Sequence, residues 1–304
     1  MTDRIRVAAI VGPTAVGKST LALEVASLLD AEIVSIDSMQ LYRGMDIGTD
    51  KPTAEMMERV PHHLVNVNDP SEDITVAEFQ LLARQAIESI ARRGKYPLLV
   101  GGSGLYFRAV VDDLKFPPTD SEIRLRLEEE VDSLGAEALH GRLSELDPEA
   151  AKRIEPSNAR RTVRALEVIE LTGRRFSENV QWDNYESIYD LRAVGLMRPR
   201  DDLYARIEQR VKDMIARGLI EETKRVAAGT MSRTARMALG YRQVFDQPAA
   251  TEAEIQVEIV RATKRFARRQ DSWFRADPRV HWVDASVAGC VMDIMAYLHD
   301  SHAN

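Results

Sequence analysis

The chain has 304 residues, of which 44% are hydrophobic and 29% are charged, and its formal net charge at pH 7 is -7. This composition is typical of a globular protein, and no apolar run approaches the length that a membrane-spanning helix needs. The single cysteine, Cys290, excludes an internal disulfide, and the N-terminus lacks the pattern of a cleavable signal. We therefore expect a cytoplasmic protein with no membrane partner.

The first predicted elements surround a phosphate-binding loop. The segment RVAAIV predicts a strand, and KSTLALEVASLLD predicts a helix with apolar residues at helical spacing. Between them the chain matches the pattern G-x-x-x-x-G-K-[ST], whose backbone N–H groups close around phosphates. The residues of this loop are Gly12, Pro13, Thr14, Ala15, Val16, Gly17, Lys18 and Ser19. Lys18 is expected to reach the outer phosphate, and the Ser19 hydroxyl is expected to bind Mg²⁺.

The next predicted strand, AEIVSID, ends in Asp37. A carboxylate beside a phosphate loop has two interpretations. In a nucleotide enzyme it organises magnesium, whereas in a group transferase it acts as a base on the acceptor. The loop binds phosphate without specifying a nucleotide, so both interpretations remain open at this point.

Helices and strands continue to alternate along the chain. TVAEFQLLARQAIESIARRG predicts a helix ending at Gly94, and YPLLVGGSGLYFRAVV predicts a strand, a glycine turn and a helix. Later, DLRAVGLM and RVHWVDA predict two strands, with a helix over residues 203–217 between them. This alternation predicts an α/β fold with a P-loop NTPase-like parallel sheet covered on both faces.

After Leu114 the strands stop. Helical spacing is found instead over residues 121–134, 137–146, 148–154 and 158–171. We therefore expect a helical subdomain of residues 116–189, inserted into a core that comprises residues 1–115 and 190–304.

Basic residues cluster in two segments although the chain is acidic overall. In RRTVR, within the predicted insertion, Arg160, Arg161 and Arg164 share one helix face. In RATKRFARRQDSWFR, Asp271 is the only acid, and Phe266 and Trp273 are expected to pack opposite the cations. The cations of this second segment are Arg261, Lys264, Arg265, Arg268, Arg269 and Arg275. Both segments favour contact with RNA.

Two pairs of neighbouring residues are interpreted as structural. His62 and His63 have no third ligand at metal-binding spacing, so we expect a packed turn rather than a zinc site. Asp112 and Asp113 are expected to be solvated or capping acids.

The chain also resembles a known family. The resemblance rests on blocks that occur in the family's order from Gly12 to Arg275: GPTAVGKS, DSMQLYRGMDIGT, PHHL, LLVGGSGLYFRA, RALEVIELTG, RIEQRV, GYRQ and RRQDSWFR. The family is that of the tRNA dimethylallyltransferases, also called tRNA isopentenyltransferases. Together these blocks are far more specific than the phosphate loop, which many families share.

The resemblance implies a reaction. A dimethylallyl group would pass from dimethylallyl diphosphate to the exocyclic amine of the adenosine 3′-adjacent to the anticodon, in tRNAs that read codons beginning with U. Asp37 would be the base, and Lys18, Mg²⁺ and Arg210 would stabilise the leaving diphosphate. Ser103, where many relatives have threonine, would hydrogen-bond near the bridging oxygen.

The resemblance also implies the residues that contact tRNA. An adenine stacked in the anticodon loop must leave the stack to reach a base in a pocket. The residues implied are Asp37, Ser38, Met39, Gln40, Ser103, Arg124, Arg160, Arg161, Arg164, Gly240, Tyr241 and Arg242. The enzyme is expected to act as a monomer.

Two alternative functions remain from the residues alone. One is a P-loop kinase or NTPase that binds ATP and acts on a small metabolite, with Asp37 organising magnesium. The other is a non-catalytic RNA-binding module that retains the loop. Intact Lys18, Ser19 and Asp37 argue against the second.

Overall fold

A parallel sheet lies at the centre of the larger of two units. The computed structural model describes residues 4–178 and 184–300. Within these ranges the sheet has six strands: β1 (Arg6–Val11), β2 (Ala31–Ser35), β3 (His62–His63), β4 (Tyr96–Gly101), β5 (Asp190–Met197) and β6 (Val280–Asp284). Their order across the sheet is β3-β2-β4-β1-β5-β6, and all neighbouring pairs are parallel. The predicted α/β fold with a parallel sheet is therefore confirmed.

Helices follow most of the strands. In chain order they are α1 (Lys18–Leu29), α2 (Ala54–Arg59), α3 (Val76–Arg92), α4 (Gly104–Val111), α5 (Ser121–Leu134), α6 (Ala136–Leu146), α7 (Pro148–Arg153), α8 (Ala159–Thr172), α9 (Arg200–Ala216), α10 (Leu219–Ala227), α11 (Arg233–Arg236), α12 (Tyr241–Asp246), α13 (Glu252–Arg275) and α14 (Cys290–His299). A short 3-10 helix covers Phe176–Glu178. In the part of the chain that the structure describes, no helix is long and apolar enough to cross a membrane.

The sheet is buried on both faces. In β1 the side chains of Ala8 and Ile10 join one apolar cluster, whereas those of Val7, Ala9 and Val11 join a second cluster on the opposite face. Successive residues of a strand point to opposite sides, so a fully apolar strand requires cover on both sides. This explains why β1 reads as a continuous apolar run rather than as an alternating pattern.

Two of the longest helices begin with the same local device. At α3, the Thr75 side chain accepts a hydrogen bond from the Glu78 N–H, and the Glu78 carboxylate accepts one from the Thr75 N–H at 2.7 Å. Thr251 and Glu254 repeat this reciprocal capping box at α13. The buried face of α13 comprises Ile255, Ile259, Thr263, Ala267, Gln270 and Phe274. Trp273, which we expected to pack, is 39% exposed, and its ring lies against Gly104, where a Cβ would come within 1.9 Å of it.

His62 and His63 form an edge strand. They pair in parallel with Ile33 and Val34 of β2, so the prediction of a turn is wrong. The ring of His62 hydrogen-bonds through Nδ1 to the carbonyl of Val60, and that of His63 bonds through Nε2 to Glu32 at 2.6 Å. Two residues are too few to show the period of a strand, which is why the sequence pattern did not reveal it.

Asp112 is buried rather than solvated. Its carboxylate is 2.5 Å from Arg108 Nε and 2.5 Å from an N–H group of Arg279, and the residue is 2% exposed. Arg279 also bonds Asp277, another buried acid. Because each buried charge faces an opposite charge, the network satisfies groups that would otherwise be strongly destabilising.

The second unit comprises residues 113–186 and is helical. Helices α5 to α8 pack their apolar faces together around Leu127, Leu143 and Leu166. Asp147 caps α7 by accepting from the Ala150 N–H, and it also accepts from the N–H and hydroxyl of Ser177. The insertion was expected over residues 116–189, a span that includes residues 179–183, which lie outside the described part of the chain.

Candidate active site

Two glycines shape the loop between β1 and α1. Gly12 has φ of 139°, and a Cβ there would lie 2.7 Å from the carbonyl oxygen of Leu196. Gly17, with φ of 110°, is the N-cap of α1. Both positions therefore need glycine, the first because β5 approaches closely and the second because its conformation is left-handed. The loop ends at a helix N-terminus with no acid in its first turn, which favours an anion there.

The carbonyl groups of the loop are held by cations. Lys18 Nζ donates to the carbonyls of Gly12 and Pro13 at 3.0 and 2.8 Å. Arg198, which follows β5, donates to the carbonyl of Val16, and Arg206 of α9 donates to that of Ala15. Neither arginine was singled out from the sequence, since both lie more than 180 residues from their partners. The two arginines thus satisfy carbonyl oxygens of the loop.

A pocket opens beside the loop. Its polar side chains include Lys18, Ser19, Asp37, Asp50 and Arg210. Its apolar side chains include Leu23, Ile33, Met56 and Phe266. Lys18, Ser19 and Leu23 all come from the start of α1, so the pocket runs from the helix N-terminus along one side of that helix. A site of this kind suits a ligand with an anionic head and an apolar tail.

Asp37 lies in this pocket two residues after β2. Its Oδ1 accepts a hydrogen bond from the Met39 N–H at 2.9 Å, which fixes the orientation of the carboxylate. Within the described residues, no group donates a hydrogen bond to Oδ2. A half-buried carboxylate with one oxygen anchored and the other available is well arranged to accept a proton.

Arg210 lines this pocket, whereas Ser103 lies next to it. Arg210, on α9, lines it and pairs with Asp50 at 3.5 Å. Ser103 is the N-cap of α4, directly after Gly101 and Gly102, which line the pocket, but it is not itself a lining residue. Its hydroxyl makes no capping hydrogen bond, so it is not committed to the start of α4. The structure thus brings Lys18, Ser19, Asp37 and Arg210 together, with Ser103 adjacent.

The environment of Lys18 perturbs its titration. Burial and the nearby charge of Arg210 lower the pKa of Lys18 to about 7, although Asp37 and Asp50 act in the opposite direction. An ammonium group that loses solvent and faces another cation gives up its proton more easily. A bound anion would reverse this effect.

The segment after Asp37 is held by buried groups from later in the chain. Glu222 of α10 is 2% exposed, and it accepts from the N–H groups of Asp46, Ile47 and Gly48 and from the Tyr241 hydroxyl. Glu222 was not found from the sequence, because a single helical glutamate carries no distinguishing pattern. Its role is to fix the turn that leads to Asp50.

Tyr241, which the resemblance implies as a tRNA contact, is a core residue. Its side chain is fully buried, and burial together with the hydrogen bond to Glu222 raises the pKa of its phenol. Its neighbour Gly240 donates its N–H to Gln243, and Arg242 is exposed and pairs with Asp246. A stacking contact requires an accessible ring, which Tyr241 does not offer here.

The side chains of the short DSMQ segment differ in how free they are to contact a ligand. Ser38 is half-buried, and Met39 packs against the larger apolar cluster. The Gln40 amide accepts from Ser35 Oγ and donates to the carbonyls of Thr49 and Asp50. Because these bonds occupy both ends of the amide, Gln40 braces the pocket wall in this structure.

Two of the predicted tRNA-binding arginines of the helical unit are held internally. Arg124 and Arg164 both pair with Glu167, whose side chain is fully buried. Arg164 also donates to the carbonyls of Pro117 and Pro118. Arg160 and Arg161 are exposed, and their guanidinium groups form no ion pair within residues 4–178 and 184–300. The shared helix face therefore divides into structural and available cations.

Some of the cations of α13 also bind other groups of the protein. Lys264 pairs with Glu208 and Arg261 with Glu258, and Arg268 donates to the Tyr204 hydroxyl. Arg265 is exposed and has no charged partner in the described part of the chain. The count of acids within the segment missed these partners, because Glu258 precedes the segment on α13 and Glu208 lies on α9.

The donor atoms around the pocket fit a hard divalent cation. Magnesium usually binds one or two carboxylates together with substrate phosphates and water. The Ser19 hydroxyl and the carboxylates of Asp37 and Asp50 line one pocket and supply such oxygens. Among the described residues, no cluster of three or more acidic, histidine or cysteine side chains could hold a metal alone. A metal would therefore depend on the substrate's phosphates.

The parallel sheet and the loop define the chain as a P-loop α/β protein. Comparison with known families makes this specific, since the IPP transferase family model matches residues 40–277. The chain belongs to the IPP transferase family, and the family expected from the sequence blocks is confirmed.

Curated relatives and solved structures agree. A tRNA dimethylallyltransferase of Streptomyces coelicolor is 53% identical over 287 residues, which cover 93% of this chain and 91% of the relative. The solved structure of a tRNA isopentenylpyrophosphate transferase from Bacillus halodurans is 43% identical, with a TM-score of 0.70 and coverage of 96% and 94%. A eukaryotic dimethylallyltransferase solved while acting on tRNA is 26% identical, with a TM-score of 0.77 and coverage of 92% and 74%.

Proposed function

We propose that the chain transfers a dimethylallyl group from dimethylallyl diphosphate to N6 of the adenosine 3′-adjacent to the anticodon, in tRNAs that read codons beginning with U. The observation that carries this proposal is the pocket in which an available carboxylate, Asp37, faces the phosphate loop. An amine acceptor must lose a proton as the new bond forms, and Asp37 is placed to take it. Membership of the IPP transferase family supports the same reaction.

Asp37 is the proposed base. The exocyclic amine of adenine is a weak nucleophile, because its lone pair is delocalised into the ring. As the nitrogen bonds to C1 of the allylic group, the C1–O bond breaks and one N6 proton passes to Oδ2 of Asp37. The hydrogen bond from Met39 N–H holds Oδ1, so the carboxylate is already oriented for this transfer.

The loop residues are proposed to stabilise the leaving diphosphate. Negative charge accumulates on the diphosphate as the C1–O bond breaks, and Lys18 and Arg210 lie in the same pocket to meet it. The Ser103 hydroxyl, free of a capping role, is proposed to donate toward the bridging oxygen. Ser19 would hold Mg²⁺, which adds positive charge to the diphosphate when bound.

The residues that contact the tRNA acceptor are proposed from the exposed arginines that form no ion pair in the described part of the chain. Arg160 and Arg161 would contact the phosphates of the anticodon arm, whereas Arg124 and Arg164 would shape the unit that carries them. All of these groups belong to one chain, which supports a monomer as the working state. The cytoplasm is the proposed compartment, because tRNA is the substrate.

A single assay tests the reaction. Purified protein is incubated with unmodified tRNA, Mg²⁺ and dimethylallyl diphosphate, and the nucleosides of the digested RNA are weighed. An adenosine heavier by one dimethylallyl group, absent without the donor, is expected. Phosphate released from ATP with no modified nucleoside would instead support a P-loop kinase or NTPase.

Donor binding is expected to take up a proton at alkaline pH. With a pKa of about 7, Lys18 is about nine-tenths neutral at pH 8 in the free protein, and an anionic donor favours its charged form. Calorimetric titration of dimethylallyl diphosphate with Mg²⁺ in buffers of different ionisation enthalpy should show uptake at pH 8 and little at pH 6. Lys18→Arg is the control, since arginine stays protonated at both pH values. Any proton uptake by this variant comes from the donor itself and is subtracted from that of the wild type. Equal uptake by both proteins would contradict this assignment.

The exposed and the internal arginines are expected to behave differently. Replacing Arg160 and Arg161 by alanine removes phosphate contacts, so the slope of log Kd against log salt for tRNA should fall by about 1 per arginine. Arg164→Ala leaves the buried Glu167 with fewer donors and should lower the free energy of unfolding by about 2 kcal/mol. Filter-binding across salt concentrations and urea denaturation separate the two effects. A fall of about 1 in this slope for Arg164→Ala, without loss of stability, would reverse their roles.

A further inference from the structure

Gln270 connects two loops at the edge of the pocket. It lies on the buried face of α13 and is 7% exposed. Its side-chain Oε1 accepts a hydrogen bond from the backbone N–H of Thr14 at 2.8 Å, and its Nε2 donates to the carbonyl of Gly102 at 2.8 Å. One side-chain amide therefore joins the phosphate loop to the turn after β4.

The N–H of Thr14 belongs to the set that normally faces phosphate. Backbone N–H groups of such loops form the cradle, and the lysine reaches the outermost phosphate. Lys18 Nζ here bonds the carbonyls of Gly12 and Pro13, the two residues directly before Thr14. The ammonium group and the Thr14 N–H thus lie at the same end of the cradle, where the outermost phosphate of a chain would bind.

Close packing closes this end. A Cβ on Gly102 would lie 2.2 Å from Gln270 Nε2 and 3.1 Å from the carbonyl oxygen of Gly12. The turn after β4 therefore lies directly against the phosphate loop, with the Gln270 amide between them. Two carbonyl oxygens, Gln270 Oε1 and that of Gly102, therefore lie beside the Thr14 N–H at this end, and a carbonyl oxygen has no proton to donate to a further phosphate.

We infer that Gln270 limits the cradle to two phosphates and is the residue that selects a diphosphate over a triphosphate. It does so by occupying one N–H of the loop and by filling the space beside it. This inference rests on the proposed function, in which the loop holds a diphosphate leaving group. It assigns to α13 a role in choosing the donor, and it explains how a nucleotide-type loop serves a prenyl diphosphate.

The proposal is tested by anion binding, without turnover. Inorganic diphosphate and inorganic triphosphate, each with excess Mg²⁺, are titrated calorimetrically into the whole protein. The quantity measured is the ratio of the two dissociation constants. Gln270→Ala removes the hydrogen bond to the Thr14 N–H and the side chain that fills the space beside it. The affinity for triphosphate relative to diphosphate should therefore rise about tenfold, the equivalent of one hydrogen bond to a charged group.

Two further variants make the test specific. Gln270→Glu retains an oxygen toward Thr14 but adds negative charge, so its ratio should shift away from triphosphate relative to the wild type. Gln270→Asn cannot span both loops, and it substitutes for the alanine variant if that protein does not fold. Ser272→Ala, an exposed change on the same helix, is the control and should keep the wild-type ratio.

The outcomes separate the two levels of the proposal. A shift toward triphosphate in Gln270→Ala or Gln270→Asn, with the opposite shift in Gln270→Glu, supports the inference. Diphosphate binding with a ratio that is the same in all variants overturns the role of Gln270 and leaves the proposed function intact. Failure of the wild type to bind diphosphate at all overturns both.

Discussion

Asp37→Asn is expected to slow prenyl transfer by about 10²- to 10⁴-fold, the usual contribution of a general base. Asparagine has nearly the same shape, and its carbonyl oxygen can still accept the hydrogen bond from the Met39 N–H. What it loses is the ability to take the proton from the adenine amine. The rate is measured in single turnovers with saturating tRNA and donor, so that binding does not limit it.

The matching measurement is tRNA affinity. Because the substitution preserves the local hydrogen bond, the dissociation constant for tRNA should stay close to that of the wild type. A loss of affinity as large as the loss of rate would mean that Asp37 holds the acceptor rather than deprotonates it. Release of phosphate from ATP by the wild type, lost in Asp37→Asn, would instead return Asp37 to the magnesium interpretation.

Lys18→Ala is expected to have the second large effect, on donor binding and turnover together. The ammonium group bonds the loop carbonyls in the free protein and would contact the outer phosphate of the donor. Loss of a charged hydrogen bond weakens binding by about 10- to 100-fold. Loss of charge stabilisation as the diphosphate departs is expected to lower kcat by about 10²-fold or more.

Calorimetry with dimethylallyl diphosphate gives the donor affinity, and single-turnover rates give the chemical step. Arg206→Lys is a matched comparison, since it keeps a cation near the Ala15 carbonyl but lies outside the pocket lining. Its donor affinity should fall far less than that of Lys18→Ala. Unchanged donor affinity in Lys18→Ala would remove the lysine from the cradle.

The phosphate loop and the sheet were predictable because they depend on local patterns. Fixed spacing of Gly12, Gly17 and Lys18 defines the loop, and buried strands read as apolar runs. Asp37 could be placed for the same reason, since it lies two residues after a buried strand. These residues carry their signal within about a dozen positions.

The supports of the site were not predictable, because they are long-range. Gln270 meets Thr14 across 256 positions, and Glu222 meets the turn at Asp46 across 176. A glutamine or glutamate on a helix has no feature that indicates such a partner. Tyr241 and Arg164 illustrate the opposite error. Both were predicted to contact RNA, but Tyr241 bonds the buried Glu222 and Arg164 pairs with the buried Glu167.

These long separations have a consequence for how the enzyme is made. The phosphate loop leaves the ribosome well before α13, because Thr14 precedes Gln270 by 256 positions. The N-terminal part of a chain is synthesised first, and contacts between residues far apart in the sequence form slowly. The nascent chain therefore carries the loop long before the helix that completes its cradle. A chain cut before α13 would keep every residue of the loop motif and still lack the finished donor site.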